Sequence, residues 1–190
     1  MPLSLPNLLT WLRVLAIPLL LLLYLPLFGL EPTLRDGLAT ALFVAAAVTD
    51  WFDGWLARRL GQTSAFGAFL DPVADKLIVA AALVVLLALD RVDPVVALVI
   101  IGREITISAL REWMASIGAR ANVAVHSVGK LKTGVQMTAI PMLLWSRPLL
   151  GVDCRQVGTW LVIAAAVLTV WSMMYYLRRA WPYLRDGMVR

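Results

Sequence analysis

Four aspartates, Asp50, Asp53, Asp71 and Asp75, lie within the stretch TDWFDGWLARRLGQTSAFGAFLDPVADK, which is bordered on both sides by almost entirely apolar sequence. Carboxylates are costly there: each Asp at the centre of a membrane helix costs about 2.5–3.5 kcal/mol, and mutual repulsion adds to that. Their spacing suggests what offsets the cost. Asp50, Asp53, Gly54, Ala57 and Arg58 recur at the interval of one helix face, as do Gly67, Asp71 and Asp75. A turn around Gly61 would make the two helices antiparallel neighbours, so that four carboxylates converge. Their charge matches two divalent cations, and oxygen-only donors suit Mg²⁺, Mn²⁺ or Ca²⁺ better than zinc or copper. A pair of such ions is a clamp for phosphoryl chemistry. Arg58 offers a fixed cation to a phosphate beside them. Gly54, Ala57 and Gly67 leave room for a ligand to approach the backbone, although small residues also serve helix packing in lipid.

Two other readings compete. A solvated loop with ordinary acidic residues conflicts with the helical spacing and the apolar flanks. A proton or ion relay in a transporter is the stronger rival, since carboxylates inside membranes often serve that purpose. The chain shows no internal repeat and no pair of broken helices, which such transporters usually carry. A purely structural membrane subunit leaves the aspartates unexplained.

The elements that must hold these residues follow from the composition. Of 190 residues 61% are hydrophobic and 15% charged, and the mean hydropathy is +0.83. Soluble domains carry about 25% charged residues, so the balance points to a membrane. The length suits a single domain over residues 1–190. The net charge of +5 fits an anionic lipid surface or substrate better than nucleic acid in so apolar a chain. Cys154 is the only cysteine, which rules out an intramolecular disulfide and reads as a packing residue. His126, the only histidine, fits a loop or interface residue better than a catalyst.

Polar breaks divide the chain into six apolar stretches, roughly 8–30, 36–59, 65–89, 94–117, 129–147 and 156–178. No strand alternation is visible. The expected fold is all-α, a polytopic bundle of six transmembrane helices, with the first stretch read as a retained helix rather than a cleaved leader. Of 17 basic residues, only Arg35, Arg91, Arg147 and Arg155 fall towards one side of such a bundle. The positive-inside bias therefore predicts cytoplasmic termini, with the aspartates near the cytoplasmic face. The tryptophans, Trp11, Trp51, Trp145, Trp160 and Trp181 among them, fit interfacial belts. Arg178, Arg179, Arg185 and Arg190 read as an anchor to anionic lipid.

The pattern from Asp50 to Asp75, with Asp53, Gly54, Ala57, Arg58, Gly67 and Asp71 between them, resembles the signature of the CDP-alcohol phosphotransferases at every position. The segments NLLTWLR, REITISALREWMA and GKLKT extend the likeness over most of the chain. The resemblance implies a six-helix enzyme of the bacterial inner membrane, usually a homodimer, dependent on two Mg²⁺ or Mn²⁺ ions. It implies transfer of a phosphatidyl group from CDP-diacylglycerol to sn-glycerol 3-phosphate, giving phosphatidylglycerophosphate and CMP. Serine, an inositol phosphate or phosphatidylglycerol are alternative acceptors. Asp50, Asp53, Asp71 and Asp75 match the family's metal-binding positions, and Asp75 its proposed general base. Gly54, Ala57, Arg58 and Gly67 match the positions that line its CDP site. The residues alone leave the identity of the base open, because any Asp is a weak base at its reference pKa of about 3.9 unless a metal acidifies the hydroxyl.

An acceptor carrying a phosphate needs cations of its own. Arg103, Ile107 and Arg111 share one face of the fourth helix, and Lys130 and Lys132 open the fifth. They form the candidate acceptor pocket, with Thr10 and Arg13 able to join from the first helix. The competing reading is local neutralisation of the arginines by Glu104 and Glu112.

Overall fold

The computed structural model describes residues 5–60, 65–117 and 127–187. Six α-helices run through them: α1 Leu5–Leu22, α2 Pro32–Leu60, α3 Ala65–Ala88, α4 Pro94–Ser116, α5 Ser127–Trp145 and α6 Cys154–Gly187. The expected all-α class and the six stretches both hold. The turns expected at Gly61 to Ser64 and at Gly118 to Asn122, and His126, lie outside the described residues.

Local chemistry explains where α2, α4 and α6 begin. Asp93 caps α4 by accepting from the Val95 amide at 2.8 Å, with Pro94 at the first helical position. Asp153 caps α6 through the Gln156 amide at 3.0 Å. Glu31 opens α2 by accepting from the amides of Thr33 and Leu34 and from the Thr33 hydroxyl. The bond from the Thr33 hydroxyl, and then those from the backbone, hold the Glu31 carboxyl below its usual value.

The structure departs from the sequence reading at three edges. The first apolar stretch runs to residue 30, but α1 stops at Leu22; Pro26 opens a 3-10 turn over Pro26–Phe28, closed by Gly29 at φ +53. The last helix continues past 178 to Gly187, because arginines propagate a helix well after the apolar run has ended. The segment after α5 contains a small antiparallel ribbon, β1 Pro148–Leu149 and β2 Val152–Asp153. Leu150 and Gly151 turn it with φ of +51 and +82, the conformation a two-residue hairpin loop requires.

The helices close into a ring. α1 packs on α2 and α3, α2 on α5, α5 on α6, α6 on α4, and α4 on α3, while α3 also meets α2 and α5. The core inside includes Leu20, Phe43, Leu83, Leu86, Ile100, Ile140 and Leu143, all buried. α5 and α6 approach closely at Gly158, where a Cβ would stand 2.9 Å from Leu143 Cγ. The outer faces are also apolar: Leu12, Leu15 and Leu19 on α1, Leu98 and Ile105 on α4, and Trp160 and Trp171 on α6 are exposed. Trp11 and Trp181 are exposed as well, and Cys154 is buried. By length and apolar composition, one helix among the described residues, Cys154–Arg178 within α6, suffices to cross a bilayer.

One end of the ring is tied by an ion pair absent from the sequence reading. Asp36, 1% exposed, accepts from Arg91 Nη2 at 2.6 Å and from the Tyr24 hydroxyl at 3.2 Å. Arg91 Nη1 donates to the carbonyls of Leu144 at 2.6 Å and Leu143 at 3.2 Å. Arg91 is aimed there by the end of α3, where Asp90 at φ +56 lets the Arg91 amide return to the Leu86 carbonyl. The network staples α2, α5 and the α3–α4 turn. Asp36→Ala should cost about 3–5 kcal/mol, because it leaves the Arg91 guanidinium, only 14% exposed, without its counter-ion. Thermal unfolding in detergent measures this; a loss below about 1 kcal/mol would show that water already reaches the pair.

Candidate active site

The end of the ring opposite that staple carries the C-terminal half of α2 and the N-terminal half of α3, which bear the aspartates. Asp71 and Asp75 lie one turn apart on α3, and Asp50 lies on α2. α1 brings them together. Arg13, 2% exposed, places Nη1 2.7 Å from Asp75 Oδ1 and 2.9 Å from Asp50 Oδ1. The buried Thr10, almost one turn earlier, donates its hydroxyl to Asp71 Oδ1 at 2.6 Å. One guanidinium nitrogen thus holds two carboxylates from two helices, which relieves their repulsion and fixes their separation. The sequence groups Thr10 and Arg13 with the acceptor cations; the structure places them on the aspartates instead. Asp53, Gly54, Ala57 and Arg58 fall on α2 and Gly67 on α3, while their side chains lie outside the described residues.

The donor set suits a hard divalent ion. Asp50 and Asp75 converge on the Arg13 guanidinium and Asp71 on the Thr10 hydroxyl, the side chains of Asp50 and Asp75 stay partly exposed, and among the described residues neither His nor Cys joins them. Among the described residues no three such groups yet stand close enough to enclose an ion, since Arg13 sits between Asp50 and Asp75.

A second polar cluster joins α4, α5 and α6. Arg103, 8% exposed, donates through Nη2 to the Ser172 hydroxyl at 3.0 Å, and Nη1 lies 3.5 Å from Glu104 Oε1. Buried Lys132 pairs with the same Glu104 oxygen. Arg111 Nη2 meets the Tyr176 hydroxyl at 3.2 Å, and both guanidiniums lie near the Tyr176 ring, at 5.2 Å for Arg111 and 5.9 Å for Arg103. Ile107 packs below with Leu110, Met114 and Tyr176. Local neutralisation is therefore partial: Glu104 serves both Arg103 and Lys132, while Glu112 is exposed and makes none of these bonds. Three cations face one carboxylate. The Nε donors of Arg103 and Arg111 are buried without a hydrogen-bond partner among the described residues, which marks a place for an acceptor group. Lys130 belongs to α5, and its side chain lies outside the described residues.

Sequence reasoning misses Ser172, Tyr176, Gln136 and Thr169, of which Gln136 and Thr169 are buried with unmet polar atoms. Gln136 has a visible signal, since it follows Lys132 by one helical turn. The polar residues of α6 have none, because nothing in sequence sets them against α4.

The family profile described as CDP-alcohol phosphatidyltransferase matches residues 3–171. The chain belongs to the CDP-alcohol phosphatidyltransferase family. It is similar over nearly its whole length to curated members named CDP-diacylglycerol--glycerol-3-phosphate 3-phosphatidyltransferase. The protein from Shigella flexneri serotype 5b (strain 8401) is 50% identical over 188 residues, 98% of this chain and 100% of the relative. That of Escherichia coli (strain K12) is 49% identical over the same shares. As a CDP-alcohol phosphatidyltransferase the chain is a transferase, and the transporter reading falls away.

Proposed function

We propose that this CDP-alcohol phosphatidyltransferase moves the phosphatidyl group of CDP-diacylglycerol onto sn-glycerol 3-phosphate, giving phosphatidylglycerophosphate and CMP. The observation that carries this is the near-full-length identity to relatives bearing that name. A hydroxyl oxygen of the acceptor forms a bond to the β-phosphorus of the donor. The bridging P–O bond breaks, CMP leaves with its electron pair, and the hydroxyl proton passes to Asp75. Asp50, Asp53, Asp71 and Asp75 would hold two Mg²⁺ or Mn²⁺ ions, which would neutralise the diphosphate and acidify the attacking hydroxyl. Arg13 and Thr10 hold Asp50, Asp75 and Asp71 in register. Gly54, Ala57 and Gly67 admit the CDP moiety, and Arg58 supplies a cation for its phosphates. Arg103, Arg111, Lys130 and Lys132 receive the acceptor phosphate. Arg103, Arg111 and Lys132 together with Glu104 carry a net two positive charges, which match a phosphate close to its dianion.

The protein works as six membrane spans, as a homodimer in the bacterial inner membrane. Exposed leucines and tryptophans on the outer faces, together with the buried charges of Arg13, Asp36, Arg103 and Lys132, support this placement. Both termini and the turn between Arg59 and Ser64 face the cytoplasm, given the bias of basic residues towards that end. In a Cys154→Ser background, Gln62→Cys should react with membrane-impermeant maleimide only from the cytoplasmic side; labelling from the outside alone overturns this topology. The activity is tested with purified protein in detergent, by following CMP released from CDP-diacylglycerol. Release should require glycerol 3-phosphate, stop with chelator and return with Mg²⁺ or Mn²⁺. Equal turnover with serine would refute the acceptor assignment.

A further inference from the structure

A slot of about 180 Å³ opens between α1 and α2 directly beside the aspartate site. One end is formed by Arg13, whose guanidinium touches Asp50 and Asp75, and by Thr49, the residue before Asp50. From there it runs along both helices to Leu19 and Leu42, roughly 10 Å at 1.5 Å per residue. Its floor is shallow-sided because Ala16 and Ala46, both buried, project little bulk. Thr49 adds no free donor, since its hydroxyl is spent on the Ala45 carbonyl at 2.7 Å. Leu12, Leu15 and Leu19 on the rim are exposed, so the slot opens sideways on the outer surface. It is polar where it meets the carboxylates and apolar everywhere else. The larger groove between α4 and α6, about 750 Å³, is lined by neither Arg13, Thr10 nor any aspartate.

We propose that this slot seats the first carbons of one acyl chain of the lipid donor, an inference that rests on the function proposed above. A donor whose diphosphate sits among Asp50, Asp71 and Asp75 must send its chains away from those carboxylates. The α1–α2 slot starts at the same guanidinium and leads into an apolar channel that hydrocarbon fills without leaving a polar group unpaired. Chain carbons near the glycerol are thereby recognised by the protein, while carbons beyond the slot meet only lipid. Dependence on chain length therefore rises over the first several carbons and then levels off.

Water-soluble CDP-diacylglycerols with dibutanoyl and dioctanoyl chains test this, with glycerol 3-phosphate as acceptor. The wild-type protein should prefer the dioctanoyl donor in kcat/KM by tenfold or more, because each seated methylene is worth up to roughly fourfold. Ala45→Trp, and Leu15→Trp from the opposite wall, fill the slot and should erase most of that ratio. A ratio unchanged in both variants overturns the proposal. A donor carrying a diazirine on its acyl chain gives a second readout in the unaltered protein. Photolabelling should fall within residues 12–19 and 42–49, and labelling confined to other helices overturns the slot assignment. Absence of CMP release from either donor in the wild-type protein would instead refute the proposed function, and the labelling pattern still decides the slot.

Discussion

Asp50→Asn, Asp53→Asn and Asp71→Asn proteins should fold and insert yet turn over on the order of 10²–10³ times more slowly than wild type, the usual loss when a preorganised charge is removed from a transition-state site. Asn keeps the shape of the side chain and removes the charge, so the loss reports electrostatics rather than packing. The half-saturating Mg²⁺ or Mn²⁺ concentration should rise in each variant as well. Asp71 makes its described contact to the Thr10 hydroxyl, which an amide oxygen can still accept, so Asp71→Asn retains that bond while losing a charge. Asp50 is held by Arg13, and Asp50→Asn leaves that guanidinium paired with Asp75 alone. Arg13→Ala does the reverse: it leaves Asp50 and Asp75 facing one another, and should shift the metal requirement more than it alters affinity for glycerol 3-phosphate. CMP release at saturating substrates, titrated with each metal, measures all of these. Full activity of Asp53→Asn in the presence of chelator would end the metal assignment.

Much of this arrangement is legible in the order of the amino acids, and the reason is physical. Helical periodicity reports which residues share a face of one helix, so Asp71 with Asp75, and Arg103 with Arg111, are grouped by spacing alone. Caps and prolines mark some of the boundaries, as at Asp93 and Pro94 before α4. Periodicity is silent on which faces meet across helices. Nothing in the spacing connects Arg13 with Asp75, 62 residues away, or Arg91 with Asp36, 55 residues away. Those pairings depend on the order of helices round the ring, where α1 is wedged against both α2 and α3. Apolar composition likewise marks a stretch without marking where its helix stops. The first stretch overruns its helix because Leu23 to Leu30 is as hydrophobic as the residues before it, while Pro26 ends the regular hydrogen bonding. The Leu150–Gly151 turn is hidden for a related reason: a ribbon with two residues per strand is too short for alternation to show.

The choice of acceptor rests on the cluster between α4, α5 and α6, and Arg111→Ala is expected to expose it most clearly. Asp75 and a metal can activate any hydroxyl placed beside them, so selection falls to groups that hold the rest of the molecule. Arg103 and Lys132 already share Glu104, whereas Arg111 is described with the neutral Tyr176 hydroxyl and keeps a buried Nε donor unmet. Its charge is the least compensated of the three. Loss of a charge-assisted hydrogen bond to phosphate costs about 1.5–3 kcal/mol, roughly 10- to 150-fold. Arg111→Ala should therefore raise the KM for glycerol 3-phosphate towards the upper part of that range, with little change in the KM for CDP-diacylglycerol. Arg103→Ala and Lys132→Ala should raise it less, because Glu104 offsets part of each charge. Lys130→Ala should act in the same direction, and Arg58→Ala in the opposite one, weakening the donor and sparing the acceptor. Neutral or zwitterionic alcohols would leave two positive charges unmatched, so glycerol and serine should be poor substrates of the wild-type protein. Steady-state kinetics with each substrate varied in turn separates these effects. Unchanged glycerol 3-phosphate kinetics in both Arg111→Ala and Arg103→Ala would remove the cluster from the acceptor site and return it to a purely structural role between α4 and α6.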